Sequence, residues 1–341
     1  MTYHSLFDII ADEYSTFRVG SDRLSYNGTL DAVLDETEDA PSIGDRRTRA
    51  LQLALHPPRI IRAFIDYKIQ HPSSEVEALL RDAVQLGLDV YKDDNVALEK
   101  LKELRRRTIR SNARKVLQRT LKQPYDPITW NATHHSKSKK TAENLALRTN
   151  GENVLFVALA HGGVATGMDT YLRYCNDVDS DGSSFYVARF STHKLWDLTP
   201  RLTPAEITYL QEQANGRRPV IFDEDIASGK TLNEAEQFFT GSVFPFGNVV
   251  ILTNLDARAE LMSLGFGKNL MNLDSYSLED KHKSISKLYF EKIINKMKHV
   301  EDNFHIPDKK LNKFYSFLSK SSDYREFCGV GGKPNGKERL F

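Results

Sequence analysis

Residues Pro219–Ala235 read PVIFDEDIASGKTLNEA. The apolar run Val220 to Phe222 passes straight into the acids Asp223, Glu224 and Asp225, and a turn of small residues, Ala227-Ser228-Gly229-Lys230-Thr231, follows. A short apolar run that gives way to a Gly-containing turn and then to helix-forming residues is half of an alternating strand–helix unit. Carboxylates at the end of a buried strand can accept hydrogen bonds from vicinal sugar hydroxyls and favour a divalent cation nearby. Free amides and the positive end of the helix that follows suit a phosphate monoester. The two halves together fit a sugar phosphate.

The same alternation extends on both sides of this stretch. VLFVALA, from Val154, is a continuous apolar run bounded by Gly151 and by His161-Gly162-Gly163, as expected of a strand buried on both faces of a parallel sheet. A helix through Met168, Tyr171, Leu172 and Tyr174 is expected next, then SSFYVARFS as a second strand. Thr203-Pro204-Ala205-Glu206 combines an N-cap, a proline at the first helical position and a capping-box Glu. RPVIFD is the third strand, TLNEAEQFF its helix and NVVILTN the fourth strand. This order predicts a doubly wound parallel sheet with ligands at the carboxyl ends of its strands.

Two other readings of the opening stretch fit it less well. A P-loop requires Gly five positions before Gly229, where Glu224 stands. Thr231 and Glu234 can form a capping box by themselves, but that leaves the acids at the strand end unexplained.

VIFDEDIASGKT resembles the phosphoribosyl diphosphate (PRPP) signature of type I phosphoribosyltransferases, and the wider resemblance runs from about Val154 to Asp274. The resemblance implies a pentosyltransferase of nucleotide metabolism that uses Mg2+. It implies that Asp223 and Glu224 hold the ribose hydroxyls and, through ribose or water, the metal. Ala227, Ser228, Gly229, Lys230 and Thr231 would hold the 5-phosphate. ALAHGG is similar to the family's diphosphate loop, which assigns His161, Gly162 and Gly163 to diphosphate, with Arg189 and Lys194 as its basic partners. His161 stands where an Arg is often found. Asp225 takes a place that is usually apolar, and Ala227 stands where hypoxanthine-guanine enzymes carry an Asp, so purine transfer of that type is not implied.

The first 130 residues read as helical. Ser74 and Glu77 have capping-box spacing ahead of an apolar face through Val76, Leu79, Leu80, Ala83 and Val84. From Asn95 to about Lys122 a second helix interleaves Leu98, Leu101, Leu104, Ile109, Val116 and Leu117 with Arg105, Arg106, Arg107, Arg110 and Arg114. Prolines at 124 and 127 end it. Residues 100–149 carry 14 Lys/Arg against 3 Asp/Glu, whereas residues 1–99 carry 10 against 18. The basic helix therefore either docks on the chain's own acids or meets a nucleic acid or an acidic protein partner; with no nucleic-acid motif beside it, docking is favoured.

With 341 residues and 40% hydrophobic composition the chain can build a sizeable core. No run of eighteen apolar residues and no leader pattern is found, so no membrane association is expected and a cytoplasmic location is. Cys175 and Cys328 lie far apart without metal-ligand spacing, and His56, His134 and His135 have none either. Asp177, Asp179, Asp181 and Gly182 mimic the start of a calcium loop whose twelfth position is Ala188, so a polar turn is expected.

The expected organisation is an α/β fold, a type I phosphoribosyltransferase-like doubly wound sheet over residues 151–278. It is flanked by a helical N-terminal domain (1–130), a linker (131–150) and a basic helical extension with a tail (279–341). The expected function is transfer of ribose 5-phosphate from Mg-PRPP to a nitrogenous acceptor with release of diphosphate. The alternative is a PRPP- or nucleotide-sensing or partner-controlled effector, in either case with possible homo-oligomers.

Overall fold

The computed structural model describes residues 3–11, 24–92, 97–123, 132–191, 197–226, 230–245 and 247–256. The chain before the main sheet is mostly helical: α1 (Leu6–Ile9), α2 (Leu30–Asp39), α3 (Arg46–Gln70), α4 (Ser74–Lys92) and α5 (Ala97–Arg110). Two short strands, β1 (Tyr26–Thr29) and β2 (Thr120–Gln123), pair antiparallel and tie the two ends of this layer together.

α3 runs unbroken for 25 residues although Pro57 and Pro58 lie inside it. Pro58 cannot donate to the carbonyl of Ala54 four residues earlier. The hydroxyl of Tyr91, on α4, donates to that carbonyl at 2.7 Å and so replaces the missing bond.

Two local expectations are corrected in this layer. α4 is capped by Ser73, whose hydroxyl accepts from the Val76 amide, rather than by Ser74. Glu77 is thereby released from the capping box, and its carboxylate accepts from Thr203 Oγ1 at 2.6 Å. The basic helix stops at Arg110 instead of reaching Lys122, because a 3-10 turn, Arg114–Gln118, leads the chain into β2.

The polar sequence of residues 131–150 predicts a linker, but α6 (His135–Thr149) occupies most of them. Ser138, Thr141, Ala142, Leu145 and Thr149 recur at helical spacing and are buried, so a face of small and apolar residues outweighs the polar composition of the rest. Asn150 and Gly151, both in the left-handed region, terminate α6 and turn the chain into the sheet.

The sheet comprises β3 (Val154–Ala160), β4 (Ser184–Arg189), β5 (Arg218–Ile226) and β6 (Val250–Asp256), all parallel, in the order β4-β3-β5-β6. Helices α7 (Gly163–Val178), α8 (Pro204–Gln213) and α9 (Lys230–Phe238) connect consecutive strands. β3 is buried at every position, as its unbroken apolar run requires. Phe156 stacks on Phe185 at 5.6 Å and meets Phe222 at 5.3 Å, which joins three strands in one aromatic cluster. α7 lies close on this cluster because a β-carbon at Gly167 would come within 2.9 Å of Ala158 Cβ. The expected capping box at Thr203 and Glu206 is present.

The described residues belong to one compact unit, and the helical layer and the sheet share a core. They are also joined by a buried polar clip. Lys68 Nζ of α3 donates to Glu206 Oε1 of α8 at 2.6 Å, and the Tyr186 hydroxyl of β4 donates to the same oxygen. The acidic and basic segments meet likewise: Arg105 pairs with Asp31 and Asp35, each at 2.6 Å, and Arg107 pairs with Asp82. The polar turn at Asp179 is the left-handed end of α7. The extension 279–341 lies outside the described residues.

Candidate functional site

The ladder between β3 and β5 ends at the pair Ala158 and Phe222, whereas β5 continues beside β6 as far as Ile226 and Asp256. From β3 the chain crosses to β4 on one side, and from β5 it crosses to β6 on the other. The switch point of the sheet therefore falls between the carboxyl ends of β3 and β5, the place where an open parallel sheet of this order leaves a crevice for ligands. Asp223 and Glu224 stand on the β5 side of it and His161-Gly162-Gly163 on the β3 side.

Alternation along β5 puts Glu224 on the side of Phe222, and its carboxylate is buried against the loop after β3. A β-carbon at Gly162 would overlap that carboxylate, and one at Gly163 would lie 3.6 Å from its Oε2. Glycine at 162 is thus what lets an acid of β5 reach the β3 loop. Asp223 is partly buried. Burial first, and then the neighbouring Glu224 and Asp225 charges, push its carboxyl well above the ordinary carboxylate range. A pair of acids in this state can share a proton or attract a cation, and it can accept hydroxyl donors.

A second cluster lies on the β4 side of the crevice. The Ala160–His161 peptide is cis. His161 Nε2 donates to Asp66 Oδ1 of α3 at 2.7 Å. Burial lowers the His161 pKa to about 4, against the pull of Asp66, so its imidazole is neutral near pH 7. Burial opposes the Asp66 charge, but the His161 hydrogen bond and the Arg189 and Arg62 charges outweigh it and hold Asp66 below its ordinary pKa. Arg189, almost fully buried, donates from Nη1 to the Ala160 carbonyl at 2.9 Å. Its Nε is 3.8 Å from Asp66 Oδ1 and, among the described residues, meets no hydrogen-bond acceptor. Arg62 Nε lies 3.9 Å from Asp66 Oδ2.

The fold thus brings together Asp223, Glu224, Gly162 and Gly163 in one group, and His161 and Arg189 in the other. Thr231 lies in the first turn of α9, which Lys230 opens. Ala227, Ser228, Gly229 and Lys194 lie outside the described residues. Sequence reasoning missed Asp66 and Arg62. The available signal was charge inside a stretch, Ile60 to Lys68, that is otherwise apolar enough to be core. Among the described residues no group of three His, Cys, Asp or Glu side chains could hold a metal ion unaided, and no helix is long and apolar enough to cross a membrane. Comparison with known proteins finds no match to any family model, curated protein or solved structure.

Proposed function

We propose that the crevice between β3 and β5 binds PRPP, or a ribose 5-phosphate nucleotide, and that the chain is a phosphoribosyltransferase built on a doubly wound, type I phosphoribosyltransferase-like sheet. The observation that carries this reading is the contact of the Glu224 carboxylate, from β5, with Gly162 of the loop after β3. In this reading Glu224 and Asp223 accept the ribose hydroxyls, and the amides at the start of α9 receive the 5-phosphate. His161, Gly162 and Gly163 face the diphosphate, with Arg189 behind them.

The acids fit Mg2+, since hard cations prefer oxygen ligands and the raised pKa of Asp223 marks a site that gains by meeting positive charge. Asp223 and Glu224 would hold the ion through ribose hydroxyls or water, and bound there it would offset the charge of the leaving diphosphate. The chain's own part is positional: it fixes the sugar between two loops and leaves C1 open to a nitrogen nucleophile.

Calorimetry of Mg-PRPP and of ribose 5-phosphate, followed by a diphosphate-release screen against free bases, amines and nucleic acids, tests the reading. Binding with release supports a transferase, and binding without release with any acceptor supports a sensing module. Absence of binding by either sugar phosphate removes both.

A further inference from the structure

In the second cluster a carboxylate already occupies the place of an anion. Asp66 belongs to α3, in the helical layer, and reaches across to residues at the ends of two sheet strands. Its Oδ1 accepts from His161 at 2.7 Å and lies 3.8 Å from Arg189 Nε, while Oδ2 lies 3.9 Å from Arg62 Nε. Two guanidinium groups and an imidazole donor from three parts of the chain therefore converge on one carboxylate. Its match to them is incomplete, because the Arg189 Nε–H, though buried, meets no acceptor among the described residues. A phosphate offers more acceptor oxygens than a carboxylate and a wider tetrahedral reach, so it can satisfy donors that Asp66 leaves at 3.8 and 3.9 Å.

We propose that Asp66 is an internal counter-anion of the diphosphate subsite, and that an incoming diphosphate group competes with it for His161, Arg189 and Arg62. The proposal rests on the PRPP reading above and adds a restraint that the helical layer imposes on it. With Asp66 in place one of the two guanidinium charges of the cluster is offset, and a polyanion entering it meets a fixed negative charge a few ångströms away. The ribose and 5-phosphate half of the crevice, on the β5 side, does not include Asp66.

The test uses the full chain and two probes in the presence of Mg2+, inorganic diphosphate and ribose 5-phosphate, with affinities from calorimetry. Asp66→Asn keeps the size of the side chain and a carbonyl acceptor for His161 but removes the charge. It should bind inorganic diphosphate more tightly by on the order of tenfold or more, while ribose 5-phosphate affinity stays within about twofold. Asp66→Ser should act in the same direction and guards against misfolding of the first variant. Asp66→Glu, which keeps the charge, should not tighten binding. Unchanged or weaker diphosphate binding in folded Asp66→Asn and Asp66→Ser would overturn the proposal and leave Asp66 as a positioning residue for His161, as would failure of both to fold. Tightened diphosphate binding with no ribose 5-phosphate binding in any variant would sustain the proposal and sink the sugar-phosphate reading instead. No binding of either probe in any variant would end both.

Discussion

The Glu224 carboxylate lies on the backbone of Gly162, in the space that a β-carbon would fill. Two connections of the sheet therefore meet through one side chain and one missing side chain, at the point where the winding reverses.

Gly162→Ala should push the flexible end of Glu224 away without disturbing strand pairing. Circular dichroism should be unchanged and the Tm should move by only a few degrees, about 1 kcal/mol, whereas Mg2+-dependent binding of ribose 5-phosphate should weaken by about tenfold or more. Undiminished binding in the folded variant would show that Glu224 is not a sugar ligand.

Asp223→Asn should separate function from stability. An acid whose pKa is raised on folding holds its proton in the folded chain while the unfolded chain has lost it, so the wild-type protein loses stability as pH rises above 3.8 toward the folded value. The amide lacks that penalty. Denaturant titrations at acidic and neutral pH should show Asp223→Asn equally or more stable at neutral pH, while Asp223→Asn with Glu224→Gln abolishes sugar-phosphate binding. A less stable amide variant would contradict the protonation argument.

Tyr91→Phe tests the repair of α3. Removing the hydroxyl leaves the buried Ala54 carbonyl without the donor that Pro58 cannot supply. Stability should fall by about 1–3 kcal/mol in urea unfolding, with little change in helix content. A loss well under that range would show that the carbonyl finds another donor.

His56 should contribute to acid lability. Burial, and then the Arg59 charge, lower its pKa from 6.5 to about 3. Between those values the unfolded chain takes up a proton that the folded chain does not, so stability is lost as pH falls through this window, by up to about 1.4 kcal/mol per pH unit. His56→Gln should have a correspondingly shallower stability profile between pH 6.5 and about 3, although His161 continues to titrate in the upper part. An unaltered profile would mean that His56 charges freely in the folded state.

Arg105→Glu should lower stability by about 1 kcal/mol, since it replaces an ion pair with Asp31 and Asp35 by repulsion. Arg106→Glu, whose partner Glu103 lies one turn away on the same exposed helix face, should cost less. If the basic helix and the 3-10 turn after it instead bind nucleic acid, removal of Arg106, Arg110 and Arg114 should reduce the slope of log affinity against log salt by roughly 0.7–0.9 for each lost phosphate contact.

The sheet was legible because its strands are marked locally. Val154–Ala160 has no polar interruption, and Thr203 to Glu206 announces a helix start in four residues. α6 was hidden because its buried face is built from Ser138, Thr141 and Thr149 as much as from Leu145, a pattern that composition alone assigns to loops. The continuity of α3 was illegible for a different reason: the donor that rescues its proline pair comes from Tyr91, on another helix. Asp66 gains its meaning only from where α3 crosses the end of β3, and no spacing rule carries that information. Glu224 stands out in the sequence as a site candidate, but its resting place on Gly162 depends on strand register.

The Lys68–Glu206 clip limits how this protein can be cut or recombined. A fragment beginning at β3 would keep every strand of the sheet, yet the Glu206 carboxylate would lose the Lys68 ammonium and keep only the Tyr186 hydroxyl and the Thr203 amide as donors. A chimera in which a foreign helical layer is grafted onto residues 151–256 must therefore supply an ammonium where Lys68 stands, or replace Glu206 and Tyr186 together.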